Sequence, residues 1–308
     1  MPTRIITDGS TERVVPAPRV VLPAAATLFA ERAARFAQLS QGHPFGAYLQ
    51  LMARVAQAQH EACAARPALP TSASLLAASR EYGMPPLAAL SHERAALWRE
   101  DLAAIVQSLR PRASAELAAA LQTLAGADAS ELEALADRVL AGNATDADAP
   151  LVPLVGAALQ VYFTRQAAAL PVDDVSRCDV ATVCPVCGTR PVASVVRLGG
   201  AQANLRYLVC ALCSTEWNMV RAKCSVCEAE KSVGYLSIEQ EGRSLADVPI
   251  RAETCDECHS YLKIFYQEKD PLLEPMADDL ASLALDLLVD ERGYARSGPN
   301  LLLHPGSS

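Results

Sequence analysis

The sequence has no excess of positive charge. Its 308 residues carry 27 lysines and arginines against 35 aspartates and glutamates, a formal net charge of −8. A surface built to grip a polyphosphate backbone normally shows the opposite balance, so nucleic acid is not an expected partner. Long apolar runs are also missing. The longest, residues 149–159, is interrupted by Pro150 and Pro153 and is too short to cross a bilayer, so no membrane association is expected. The opening residues, MPTRIITDGS, are polar and lack the apolar stretch of a secretion signal. No Gly-rich phosphate loop is present, since Gly199-Gly200 reads as a hairpin turn. Lysine is scarce: Lys223, Lys231, Lys263 and Lys269 are the only four, all within the cysteine-rich stretch. A high-GC coding bias that favours arginine elsewhere accounts for this distribution, and lysines beside metal thiolates would in addition offset negative charge there.

Cysteine is what the chain does have. Eight of its ten cysteines form four Cys-x-x-Cys pairs: Cys184/Cys187, Cys210/Cys213, Cys224/Cys227 and Cys255/Cys258. Two thiolates two residues apart can ligate one metal from a single tight turn, and two such turns complete a tetrahedral site of four sulfurs. Eight ligands therefore make two sites. The gaps of 22, 10 and 27 residues between pairs favour sequential pairing, with a hairpin inside each site and a short connector between them. Spacing also permits an interleaved arrangement, pair one with three and two with four. Disulfides fit poorly, because a chain of this length can bury a large core without staples. Abundant reduced cysteine instead suggests the cytoplasm. Cys255-Asp-Glu-Cys258-His259 also matches a haem-attachment pattern, but that use would leave Cys224 and Cys227 without partners. Cys63 sits in a helical pattern as a small buried hydrophobe, and Cys178 is an idle thiol.

The periodicity predicts an α + small β protein. Residues 1–22 read as an extended lead-in. From about 24 to 170 the period is helical, giving a bundle of five to seven helices. Leu28, Phe29, Ala33, Phe36 and Leu39 mark the first apolar face, with Glu31 and Arg32 alongside. A segment opened by Pro85-Pro86 is expected to run through Trp98 to Leu109. Ser130 with Glu133 suggests a capping box for a helix over 129–141, and Asp146 to Asp148 suggest the cap of the next. Beyond Cys184 the runs 192–198, 205–210, 232–239 and 260–266 are β-rich. Each site is thus a knuckle, short strands and a second knuckle, the rubredoxin or zinc-ribbon arrangement. Each module is small, so metal binding and local folding should be one event. The expected organisation is a helical domain at 1–175, modules at 176–222 and 223–270, and a C-terminal helix and tail at 271–308. Asp278 and Asp279 read as caps of that last helix. His43, His60 and His92 are too widely spaced for a helix-borne metal pair, although His60 shares a face with Gln57. No convincing catalytic constellation emerges, so the expected protein is not an enzyme.

Several stretches narrow the field. Cys184-Pro-Val-Cys187-Gly188 is a rubredoxin-type knuckle, in which glycine permits the positive φ that points N–H groups at sulfur. The other pairs carry Ser214, Glu228 and His259 at that position. The opening Arg32-Ala-Ala-Arg35-Phe-Ala-Gln-Leu39 with Gly42-His-Pro-Phe-Gly-Ala-Tyr48-Leu, the stretch Asp278-Asp-Leu-Ala-Ser-Leu-Ala-Leu-Asp286-Leu-Leu, and the ending Gly293-Tyr-Ala-Arg-Ser-Gly-Pro-Asn300-Leu resemble the FdhE family of formate dehydrogenase accessory proteins. The resemblance implies a cytoplasmic assembly factor that binds the catalytic subunit of a respiratory formate dehydrogenase before export. It also implies iron in two mononuclear four-cysteine sites, with zinc as the alternative that the ligands alone equally permit. The readings it displaces are a nucleic-acid-binding zinc ribbon and a rubredoxin-like electron carrier.

Overall fold

The computed structural model describes residues 17–91, 93–175, 180–199, 202–239, 242 and 244–304. Among these residues, seven helices form the N-terminal body: α1 (Leu28–Leu39), α2 (Gly46–Ala64), α3 (Ala73–Tyr82), α4 (Leu97–Leu109), α5 (Ala115–Gly126), α6 (Ala129–Ala141) and α7 (Val152–Ala168). Helix α7 is buried all round, which explains its lack of an amphipathic period and places it at the centre of the bundle. Around it pack Phe29, Phe36, Leu49, Met52, Trp98 and Ile105, each 0–1% exposed.

Several helix starts differ from the sequence expectation. The capping box of α6 is Asp128 with Glu131, not Ser130 with Glu133. Glu133 instead accepts from the Trp98 indole at 2.8 Å and pairs with Arg94 and Arg99. Asp146 to Asp148 form a separate 3₁₀ turn capped by Thr145, and α7 begins only at Val152. Residues 85–91 and 93–96 are not helical. Their backbone is used elsewhere, with the Leu87 and Ala89 N–H groups donating to the carbonyls of Val186 and Cys187. The unforeseen α3 is bounded by Ser72, whose hydroxyl accepts from the Leu75 N–H, and by left-handed Gly83.

The cysteine-rich half is one sheet. Its strands are β1 (Val20–Val21), β2 (Pro191–Val196), β3 (Arg206–Cys210), β4 (Glu216–Asn218), β5 (Val233–Leu236), β6 (Ile250–Cys255), β7 (Ser260–Tyr266) and β8 (Ala295–Arg296). Their order is β1-β4-β3-β2-β7-β6-β5, with β8 also on β7. Each module contributes three antiparallel strands in reverse chain order, β4-β3-β2 and then β7-β6-β5. The seam between them is the parallel pair β2–β7, in the register Ser194↔Ile264 to Val196↔Tyr266. The two modules are therefore a head-to-tail repeat within a continuous sheet. The N-terminal lead-in joins it as edge strand β1, and Tyr207 Oη donates to the Pro18 carbonyl at 2.7 Å.

After β7 the chain forms two helices where one was expected, α8 (Pro275–Ala281) and α9 (Leu283–Asp290), broken at Ser282. Neither Asp278 nor Asp279 is the N-cap of α8; Glu274 holds that role by accepting from the Ala277 N–H. Asp278 grips Arg35 of α1 through both carboxylate oxygens, at 2.6 and 2.9 Å. Asp279, fully buried, accepts from Arg296 and Asn300 and faces Lys263 Nζ at 3.3 Å. Lys263 is thus committed to carboxylates and not to the sulfurs. The tail packs so closely that a Cβ on Gly298 would lie 1.7 Å from the Pro191 carbonyl oxygen, and one on Gly156 of α7 would lie 2.2 Å from that of Leu301. Glycine at both positions is required by backbone-to-backbone contact.

Candidate metal centres

The four knuckles share one local geometry. In the first three, the N–H of the leading cysteine donates to the carbonyl five residues on: Cys184 to Thr189, Cys210 to Thr215 and Cys224 to Ala229, at 2.8–2.9 Å. In the fourth, Cys255 and Ser260 are paired across β6 and β7. The residue after the second cysteine is left-handed every time: Gly188 (φ 75°), Ser214 (56°), Glu228 (62°) and His259 (50°). Three knuckles therefore hold a side chain in a conformation that only the first relieves with glycine. Leu212 and Cys213 N–H groups donate to Cys210 Sγ at 3.3 Å, and Val226 N–H donates to Cys224 Sγ at 3.4 Å. Removing the strain should be measurable. Glu228→Gly, which gives up only a partly exposed pair with Lys223, is expected to raise stability by about 0.5–1 kcal/mol. Gly188→Ala, where the added Cβ meets only Pro85 at ordinary contact distance, is expected to cost about 1–2 kcal/mol. Paired urea melts should show these opposite signs; a loss from Glu228→Gly would refute strain at the knuckle.

The turns bring the sulfurs together in two sets, Cys184/Cys187/Cys210/Cys213 and Cys224/Cys227/Cys255/Cys258, each with all four sulfurs within 4.8 Å of one another. This is the sequential pairing, not the interleaved one. The nearest sulfurs are 3.3 and 3.5 Å apart in the first set, and 3.6 and 3.7 Å in the second. All nine described cysteines are free thiols. A tetrahedral site with metal–sulfur bonds of about 2.3 Å has edges of about 3.8 Å, so both sets fit a zinc- or iron-sized cation. Burial pushes the Cys184 and Cys213 thiols well above their ordinary range, and Cys224 up to about 12. Against that burial, hydrogen bonds from the neighbouring sulfurs hold Cys187 well below its ordinary range. One set thus contains thiols shifted in opposite directions, and a divalent cation would supply the charge that lets all four persist as thiolates together.

The two sets differ in surroundings. The first is wholly buried, at 0–1% exposure, and its cysteines belong to the same apolar core as α2, α4 and α7. Gln160 of α7 donates to the Ala211 carbonyl inside the second knuckle at 2.9 Å, and Arg32 of α1 reaches Ser214 Oγ at 3.4 Å. In the second set Cys224 and Cys255 are buried, Cys258 is half-buried and Cys227 is exposed. Arg206, fully buried, bridges the modules by binding Glu253 at 2.5 Å and the Val220 and Lys223 carbonyls.

Three family models match successive parts of the chain: "FdhE, N-terminal" at residues 17–179, "FdhE, central domain" at 183–221 and "FdhE, C-terminal domain" at 222–303. The chain belongs to the FdhE family. It is 42% identical over 307 residues to the FdhE homolog of Pseudomonas aeruginosa, covering 99% of both chains. Against FdhE of Escherichia coli K12 the identity is 37% over 292 residues, covering 94% of this chain and 92% of that one. The crystal structure of the FdhE protein from Pseudomonas aeruginosa superposes with a TM-score of 0.85 at 41% identity, covering 94% of this chain and all of that one.

In this FdhE family member the hydroxyls beside the sulfurs escaped the sequence reading. Thr189, Thr215 and Ser260 each lie two residues past the second cysteine of a pair, 3.0, 3.2 and 3.2 Å from Cys187, Cys213 and Cys258. Against a metal-bound thiolate each hydroxyl is the donor. The recurring Thr/Ser at that offset was the available signal. Ala229 breaks it. Cys63 is buried as expected, while Cys178 and His92 lie outside the described residues. His43 bonds the Ala281 carbonyl at 2.9 Å, and Gln57 pairs with Glu61 instead of forming a patch with His60. Trp98 lies in the helical core, and Trp217 donates to the Ala181 carbonyl beside the first knuckle. No helix among the described residues is long and apolar enough to cross a membrane.

Proposed function

We propose that this FdhE family member is a cytoplasmic, non-catalytic accessory protein that binds the catalytic subunit of a respiratory formate dehydrogenase and carries iron in two mononuclear four-cysteine centres. The observation that carries the reading is family membership from residue 17 to 303, combined with two complete four-cysteine sets. Cys184, Cys187, Cys210 and Cys213 would hold one ion, and Cys224, Cys227, Cys255 and Cys258 the other. Iron at such a site supplies reversible one-electron chemistry, whereas zinc would supply a cross-link alone. The non-catalytic reading is supported by the engagement of the main polar cluster away from sulfur. Asp279, Lys263, Arg296 and Asn300 are tied to one another inside the fold.

The test combines metal and partner. Protein purified anaerobically from iron-replete cells should contain about two metals per chain, with red charge-transfer bands that bleach on reduction. A tagged catalytic subunit should co-purify with it, and deleting the gene should leave that subunit present but inactive. Colourless, zinc-only protein would remove iron from the reading. Undiminished formate oxidation in the deletion strain, with no co-purification, would remove the accessory role.

A further inference from the structure

We infer that the two centres have divided roles: the first is a fixed cross-link, while the second opens at Cys227 to admit a soft external donor, a thiolate, in its place. The inference rests on the reading of both sets as metal sites and extends it to how they behave.

Four observations converge on Cys227. It is the exposed ligand of the eight, and Cys258 beside it is half-buried, whereas every ligand of the first centre is sealed from solvent. It has no hydroxyl partner. Cys187, Cys213 and Cys258 each have one two residues on, but Cys227 has Ala229, which offers its backbone N–H alone. Such outer contacts hold a thiolate in place and strengthen metal retention, and among the four second cysteines Cys227 has one contact fewer than its counterparts. The residue next to it, Glu228, is a non-glycine in the left-handed region, and letting Cys227 swing out would let that φ relax. Finally, the scaffold differs. The first centre is clasped by Arg32, Gln160, Leu87 and Ala89 from the helical body. The Cys224/Cys227 knuckle instead leads into β5, a half-buried strand at the outer edge of the sheet.

The chemistry is ligand substitution without redox change. With an ion held there, Cys227 would be the residue whose sulfur gives way as an incoming thiolate supplies its lone pair, and the released Cys227 thiolate would take a proton from solvent. Three protein thiolates keep the ion in place throughout. A partner polypeptide presenting a cysteine, or a small cellular thiol, has the required donor.

The experiment challenges metal-loaded full-length protein with dimercaptosuccinate while free thiols are tagged with iodoacetamide and mapped by mass spectrometry. The expected result is two phases, with one metal lost at least about tenfold faster than the other. The fast rate should rise with dithiol concentration, and Cys227 should be the first residue alkylated. Ala229→Thr should slow the fast phase and leave the slow phase unchanged; Cys227→Ser, which leaves three thiolates on the ion, should speed the fast phase further. Release of both metals at one rate, or first alkylation within the Cys184 set, would overturn the division of roles while leaving two metal sites standing. Protein that takes up no metal would overturn both readings together.

Discussion

Cys184→Ser is expected to unfold most of the protein. The size of the modules alone suggests local damage, with the first ribbon lost and the helices intact. The structure argues otherwise, because Cys184, Val186, Cys187, Leu208, Cys210 and Leu212 share one apolar cluster with Leu49, Trp98 and Leu154. Losing the ion leaves buried thiols facing α7 and frees the carbonyls that Gln160, Leu87 and Ala89 now engage. A structural tetrathiolate metal contributes on the order of 10 kcal/mol to folding, as much as the whole stability of a typical domain. Far-UV circular dichroism at rising temperature should show early loss of helical signal in Cys184→Ser. In Cys227→Ser most of the helical transition should be kept. Matching, small shifts for both variants would show that the first centre is not part of the main core.

The second large effect is expected at Arg296. Its guanidinium donates to Asp279 at 2.7 Å and approaches Asp286 at 3.3 Å, and Asp279 has no solvent exposure. Arg296→Ala leaves two carboxylates with Lys263 as their remaining cation. Removing one partner of a buried pair costs about 3–5 kcal/mol, because the other keeps its charge without compensation. The double variant Asp279→Asn with Arg296→Met should recover a good part of that loss, since it removes the uncompensated charge. Urea unfolding of the three proteins gives the comparison directly. A double variant no more stable than Arg296→Ala would mean that the tail is held by packing alone.

What could be read from the sequence and what could not follow a physical division. The eight paired cysteines and the runs that became β2, β3 and β7 rest on local spacing and on strand propensity, both of which a sequence states directly, whereas spacing favoured the sequential pairing without excluding the interleaved one. Arg32 and Arg35 were invisible as core residues. A charged side chain at the edge of an apolar stripe looks solvated, and only the arrival of Glu274 and Asp278 from the far end of the chain turns it inward. The break at Ser282 and the packing of 85–91 and 93–96 were hidden for the same reason, being fixed by distant partners. The left-handed knuckle residues illustrate the converse. Glycine at 188 announces its φ, while Ser214, Glu228 and His259 adopt the same conformation inside the same closed turn, which their residue types do not announce.

The closure of α1 by α8 sets an order of events during synthesis. Arg32 and Glu274 are separated by 242 residues, and Arg35 and Asp278 by 243. Leu301 and Leu302, which complete the packing against Gly156, come later still. Residue 278 must be synthesised before the carboxylates that Arg32 and Arg35 pair with in the finished fold are available. Until then the face of α1 that α8 covers stays open, even where the other helices have already packed together. Contacts of such long range make closure slow and place it last. The cysteines reach solvent while the core that will seal the first set is still accessible, so ion capture and final closure become consecutive steps with a window between them.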